Sequence, residues 1–143
     1  MRGHRAVRLG AREDLGSPHF DHFALSGSYA AFAEGLHGID TSSASVVLAD
    51  LRSGRRLSAQ PAATPARRPE SFVSVTALVL AGTRIAWIAS SGGVGLPAPR
   101  YEVHVGRRLL DKGPDIVPRS LALHGSTVRW RHGGTVRQAP LRP

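Results

Sequence analysis

Apolar and polar residues alternate along much of this chain, and one alternating pattern recurs three times around a glycine. In the segments 23–32, 78–87 and 121–130, a large apolar residue (Phe23, Leu78, Leu121) stands four before the glycine (Gly27, Gly82, Gly125) and a leucine (Leu25, Leu80, Leu123) two before it. A small or branched apolar residue (Ala30, Ile85, Val128) follows three after, and an aromatic (Phe32, Trp87, Trp130) five after. Spacings of two on either side of a turn describe paired strands that each put alternate side chains on one face. Gly27-Ser28, Gly82-Thr83 and Gly125-Ser126 suit a two-residue type II′ turn, whose first central residue needs a positive φ that glycine adopts without strain.

A second, looser hairpin is predicted after the first two of these. It runs from Val46–Leu51 through Arg52–Arg55 to Arg56–Ala59, and from Tyr101–Val105 through Gly106-Arg107 to Arg108–Asp111. In the latter, Tyr101, Val103 and Val105 share one face while Glu102 and His104 take the other. Each pair of hairpins makes a four-stranded meander. The third unit offers only Thr135–Ala139 after Gly133-Gly134, one strand short. Val7 and Leu9 alternate around Arg8, so residues 5–10 are read as an extra edge strand, of an earlier sheet or completing the third unit. The additional length between repeats falls in Glu34–Ser45 and in the proline-rich stretch Gln60–Pro69, both read as loops, the second exposed. No segment shows a helical period.

Four-stranded sheets repeating in this way resemble the blades of β-propellers of the WD-repeat and TolB types. Asp50–Arg55 is similar to a hairpin common in bacterial propeller-like proteins, with Ser53 where threonine is usual, and the Trp-Asp and Gly-His pairs of a true WD repeat are missing. Glu102–His104, Leu110-Asp111, Ser120–Leu123 and Trp130 resemble segments of uncharacterised actinobacterial propeller-like proteins. The resemblance implies an all-β partial propeller of about three antiparallel four-stranded blade-like sheets in one domain over 1–143, with repeats near 17–60, 72–113 and 117–143. It also implies longer, exported relatives, of which this chain resembles the C-terminal half, and no assigned activity.

Composition narrows the chemistry. There is no cysteine, which excludes disulfides, thiolate nucleophiles and cysteine-bound zinc. No apolar run approaches the ~18 residues a membrane span needs, and the basic N-terminus lacks the apolar stretch of a secretory signal, so localisation is open. The formal charge is +9, and 18 of the 19 basic residues are arginine, a pattern that a G/C-rich coding sequence also produces. Charge is uneven: residues 1–70 carry 9 basic and 7 acidic groups, a net of +2, whereas residues 71–143 carry 10 and 3, a net of +7. A polyanion site is therefore expected in the second half, with Arg107, Arg108, Arg119, Arg129, Arg131 and Arg137 as its candidates.

Other constellations are weaker. His19, Asp21 and His22 combine imidazole and carboxylate as divalent metals require, but a third or fourth converging ligand cannot be named, and a polar lead-in loop is expected. His104 and His124 are read as structural imidazoles. Glu102, Asp111 and Asp115 follow the hairpin rhythm rather than a catalytic spacing and are read as solvated carboxylates. Ser90–Gly95 is glycine-rich but lacks the lysine of a phosphate-binding loop, so a flexible loop is expected. Trp130, between Arg129 and Arg131, is read as core rather than as a stacking platform.

These features predict a non-enzymatic binding or scaffold module without catalytic residues, metal or cofactor, for an unidentified protein or small-ligand partner. The alternatives are a polyanion or nucleic-acid binder using the second-half arginines, and a degenerate hydrolase fragment. Three sheets cannot close a ring, so a homodimer or a poorly soluble aggregate is expected as well.

Overall fold

Each of the three predicted Gly-X turns closes a hairpin. Gly27, Gly82 and Gly125 have φ of +59°, +60° and +59°, and the register leaves two residues between Ser26 and Tyr29, between Ala81 and Arg84, and between His124 and Thr127. The computed structural model describes residues 19–38, 41–65, 71–93 and 98–142, among which the helices and strands are strands only. In chain order they are β1 (His19–Ser26), β2 (Tyr29–His37), β3 (Ser42–Asp50), β4 (Arg55–Pro61), β5 (Ser71–Ala81), β6 (Arg84–Gly93), β7 (Arg100–Val105), β8 (Arg108–Gly113), β9 (Ala122–His124), β10 (Thr127–His132) and β11 (Thr135–Pro140). Among the described residues no helix is long and apolar enough to cross a membrane. The proposed strand at 5–10 lies outside the described residues.

The all-β class is right, but the partial propeller of three four-stranded sheets is not what forms. β1 to β8 belong to one mixed eight-stranded sheet, and β9 to β11 form a separate three-stranded sheet in the order β11-β10-β9. The joint within the large sheet is a parallel pairing of Ser42 in β3 with Phe72 in β5, where Ser42 Oγ accepts the Val73 N–H at 3.2 Å. Segments read from the sequence as loops make this joint. Glu34–Ser45 is largely paired strand, with Glu34 opposite Ser45 and His37 opposite Ser42. Ser90–Gly93 extend β6 opposite Ser74–Ser71 of β5. Strands that run this far bring the ends of β3 and β5 together, so no boundary separates the first two meanders.

The large sheet folds back on itself and buries both faces of its centre. Ala31, Ala33, Val46 and Leu48 pack against Val75, Leu80, Ile85 and Trp87 in one cluster. The opposite face of β6 and β7, with Ala86, Ile88, Val103 and Val105, packs on Val128 and Trp130 of the small sheet and on Ile116 and Leu141. Buried on both sides, β6 reads as a continuous apolar run from Ile85 to Ala89 rather than an alternation. A bulge in β5 at Thr76 turns its hydroxyl to donate to Pro118 O at 2.6 Å, tying the large sheet to the segment before β9.

The equivalent aromatics all sit in the core, with Phe32, Trp87 and Trp130 at 0%, 1% and 4% exposure. Trp87 points back to the first meander and donates from Nε1 to Ala62 O at 2.7 Å. The stretch beginning at Gln60 is therefore not simply an exposed loop: Ala62 and Ala63 are buried, and Ala62 N–H also bonds Ala44 O at 2.9 Å. Phe32 instead faces outward and is covered by Phe20 and Phe23, whose ring centroids lie 5.7 and 5.8 Å away. A bulge between Asp21 and Ala24, where His22 takes φ +51°, puts both rings over it.

Trp87→Phe keeps the packing and leaves Ala62 O without its donor. The variant is expected to lose about 1–2 kcal/mol, read as a lower urea midpoint at unchanged slope.

Candidate anion-binding site

Two adjacent turns and the last described residues deliver four arginines to one place. Arg84 opens β6 directly after the Gly82-Thr83 turn, and Arg107 and Arg108 follow Gly106 at the turn between β7 and β8. Gly106 has φ +54°, and its N–H donates to Ile85 O at 3.0 Å, locking this turn against the start of β6. Leu141 is buried at 1% exposure and donates its N–H to Ser126 O at 2.8 Å. Its carbonyl accepts a bond from Arg84 Nη1 at 3.4 Å. Arg142 is held beside the turns by that anchored neighbour.

These residues and Ser58, Ala59 and Gln60 of β4 line a cavity of about 540 Å³. Ile85 and Val105 are also among its lining residues, but both are nearly fully buried and their side chains enter the cores on opposite faces of the sheet, so they add little surface to it. Four arginines are among its lining residues and no Asp or Glu is. A sphere of that volume is about 10 Å across, a separation at which two unit charges repel by ~0.4 kcal/mol in water and ~1.7 kcal/mol at a protein surface. An anion in the cavity relieves this repulsion, and guanidinium forks present paired donors suited to phosphate, sulfate or carboxylate.

Only two of the six arginines expected at a polyanion site, Arg107 and Arg108, are among these four. Arg129 and Arg131 are exposed on β10, opposite Gln138 and Val136 and on the face away from Trp130. Arg119 lies exposed in the segment between β8 and β9. Arg137 is engaged by Asp111 at 2.7 Å. Arg84 had a visible signal, since it follows a Gly-X turn as closely as Arg107 follows Gly106. Arg142 had none, because its place is set by the burial of Leu141.

No protein family, curated protein or solved structure matches this chain. The propeller resemblance gains no support from them, and function has to be read from the site itself.

The carboxylates read as solvated are instead engaged in structure. Asp111, 9% exposed, accepts from Trp130 Nε1 at 2.7 Å, His132 Nδ1 at 2.9 Å, Arg137 Nη1 at 2.7 Å and its neighbour's N–H, that of Lys112, at 2.9 Å. Since an ionised carboxylate only accepts, His132 carries its proton on Nδ1 here. Burial pushes the Asp111 carboxyl up, but the bonds from Trp130 and His132 and the charges of His132 and Arg137 more than reverse this and hold its pKa below the ordinary aspartate value.

Glu102 fastens a different seam. It accepts from Thr64 N–H at 2.9 Å, Thr64 Oγ1 at 3.1 Å and His104 Nε2 at 2.8 Å, while the His104 ring stacks on Trp87 at 5.0 Å. Burial raises the Glu102 pKa, and the bonds from Thr64 and His104 outweigh it, for a net lowering. Asp111 lies opposite Val103 and Glu102 opposite Lys112, so the two carboxylates project from opposite faces of the sheet and form no acid–base pair. Asp115 is exposed, and so is His124.

His19, Asp21 and His22 belong to β1 rather than to a lead-in loop. His22 Nδ1 lies 3.1 Å from Asp21 Oδ1, whereas His19 stacks on His37 at 4.2 Å, over Gly35, where a Cβ would collide with its ring. No group of three or more metal-binding side chains occurs among the described residues.

Asp111→Ala leaves the buried Trp130 N–H and His132 without their acceptor, with an expected loss of about 3 kcal/mol at neutral pH. A depressed folded-state pKa gives stability that is complete above the unfolded value of about 4 and is lost as pH falls through the folded value. Urea unfolding of parent and variant should therefore differ most near neutrality, with the difference shrinking progressively as pH falls below about 4. An equal difference at both ends counts against the ionised form as the source.

Proposed function

We propose that the protein is a non-enzymatic binding module that holds an anionic ligand in the cavity bordered by Arg84, Arg107, Arg108 and Arg142. The observation that carries this reading is the presence of four arginines, from three separated stretches of chain, in the lining of one cavity that includes no acidic residue. Among the four, the one hydrogen bond formed within the described structure is the long contact from Arg84 to Leu141 O, so most of their donors are open to a ligand. The lining has donors in abundance and two hydroxyl residues, Ser58 and Thr83, but no His, Asp or Glu to act as a general base. Its chemistry suits holding charge rather than moving protons.

The alternative of a nucleic-acid track is less well supported by the placement of the arginines. Arg129 and Arg131 decorate the outer face of the small sheet and Arg137 is held by Asp111, so the six do not make one continuous stripe. A duplex, with one charge per ~1.7 Å of its axis, calls for such a stripe.

Calorimetric titration with inorganic tripolyphosphate is expected to show one saturable site that weakens as salt is raised from about 50 to about 200 mM. The double variant Arg107→Ala/Arg108→Ala should weaken binding by about ten-fold or more, equivalent to ~1.4 kcal/mol, whereas Arg129→Ala/Arg131→Ala should change it less than about two-fold. Absence of binding at low salt, or equal losses in both double variants, rejects the site.

A further inference from the structure

We infer that the outer edge of β11 is a docking strand for an acidic protein partner: an extended segment that adds to the small sheet as a fourth strand, with its carboxylates toward Arg129 and Arg131. None of the residues that make this surface lines the arginine cavity, so the inference does not depend on the anion reading.

The edges of the two sheets are built differently. In the large sheet β1, β4 and β8 are paired on one side only, and each carries an extra residue against its neighbour: between Asp21 and Ala24 in β1, at Leu57 in β4 and at Leu110 in β8. Such bulges twist an edge and spoil it as a template for further pairing. In the small sheet β9 is only 3 residues long. β11 has neither protection, since its register with β10 runs without a slip from Thr135 opposite His132 to Pro140 opposite Thr127.

Backbone direction decides which groups of β11 are open. Arg131 N–H donates to Ser120 Oγ at 2.8 Å and Arg131 O accepts from Val117 N–H at 2.9 Å, both on the side of β10 away from β11. Direction alternates along a strand, so Trp130 and His132 are the residues that exchange bonds with their partners Arg137 and Thr135. Val136 and Gln138 therefore turn their N–H and C=O groups outward, and both residues are exposed. Pro140 lacks an N–H and closes this edge at its end without interrupting it. The open stretch suits an extended segment of about five residues.

Charge selects the partner. Val136 and Gln138 share the outer face of the sheet with Arg131 and Arg129, which lie opposite them, and the ion pairs among the described residues leave both arginines out. A strand added beside β11 lies about 10 Å from β10, two strand spacings away, and an arginine side chain spans much of that gap. Carboxylates opposite Val136 and Gln138 then fall within a Debye length of the guanidinium groups. A second copy of β11 fits worse. It brings two more arginines and no acid to the same face of a chain that already carries +9.

Two capped hexapeptides serve as probes, one alternating Glu and Val and one alternating Lys and Val, each titrated into the full chain at low salt and followed by the amide NMR signals. The Glu-Val peptide is expected to give saturable shifts centred on Val136 and Gln138, and the Lys-Val peptide to bind about ten-fold or more weakly. Arg129→Glu/Arg131→Glu should reverse the order of the two peptides, a result that loss of folding does not mimic. Gln138→Pro removes an outward N–H and no ladder bond, and should weaken the Glu-Val peptide by about ten-fold. Where Trp130 emission shows that the proline has disturbed the sheet, the charge-reversed variant decides alone. Equal affinities for the two peptides, an unchanged order in the charge-reversed variant, or shifts centred on Arg107 and Arg108 overturn the inference. A concentration-dependent dimer that maps to Val136 and Gln138 without peptide also overturns it and makes the occupant a second copy. Absence of saturable shifts with the Glu-Val peptide removes it, while the tripolyphosphate test of the cavity stands or falls separately.

Discussion

A buried indole must find an acceptor for its N–H, and the two that this chain buries dictate how its strands are stacked. Leaving such a donor unpaired costs about 1–3 kcal/mol, a large share of the stability of a domain this size. Trp87 solves the problem with a backbone carbonyl, Ala62 O, which draws the end of β4 and the residues after it over the central strands. Trp130 solves it with a side chain, Asp111, which lies on the neighbouring sheet. The first solution brings Ala62 and Ala63 into the core. The second brings a carboxylate there, which in turn requires His132 and Arg137 to compensate its charge. Much of the polar organisation between the layers follows from these two nitrogens.

The local half of this organisation was legible in the sequence. Gly27, Gly82 and Gly125 announced tight turns, because a two-residue connection with a positive φ has few chemical solutions, and the three aromatics five residues on announced a repeated core position. What escaped was non-local. Whether β3 and β5 belong to one sheet turns on a single bridge between Ser42 and Phe72, and two small or aromatic residues thirty positions apart carry no pattern that says they will meet. The same holds for Asp111, which looks in sequence like any strand-end carboxylate, and for Ala62 in a proline-rich stretch whose composition suggests exposure. At the cavity, Arg107 and Arg108 were visible as part of a charge excess in the second half, but charge alone did not separate them from Arg129, Arg131 and Arg137. Only the fold sorts these into an open cluster, an outward face and an internal partner.

The cavity owes its position to the same turns that make the hairpins. A two-residue turn has no length to spare, so the residue after it is fixed at the end of its strand. Arg84 and Arg108 are both placed in this way, and the bond from Gly106 N–H to Ile85 O brings their turns into contact. Like charges are thus held together by backbone geometry rather than by mutual attraction. The lining provides no acid to offset them, and solvent screening over a Debye length of about 8 Å limits the cost.

Because the chain has only two tryptophans and each spans a different boundary, its intrinsic fluorescence is divided by location. Trp87, stacked on His104, senses whether the first meander still covers the central strands, and Trp130, bonded to Asp111 and buried beside the small sheet, senses whether that sheet is still docked. Replacing one leaves the emission of the other as an optical readout of a single boundary. The order in which the two boundaries part during unfolding is therefore written into the natural chromophores of the protein, without any attached label.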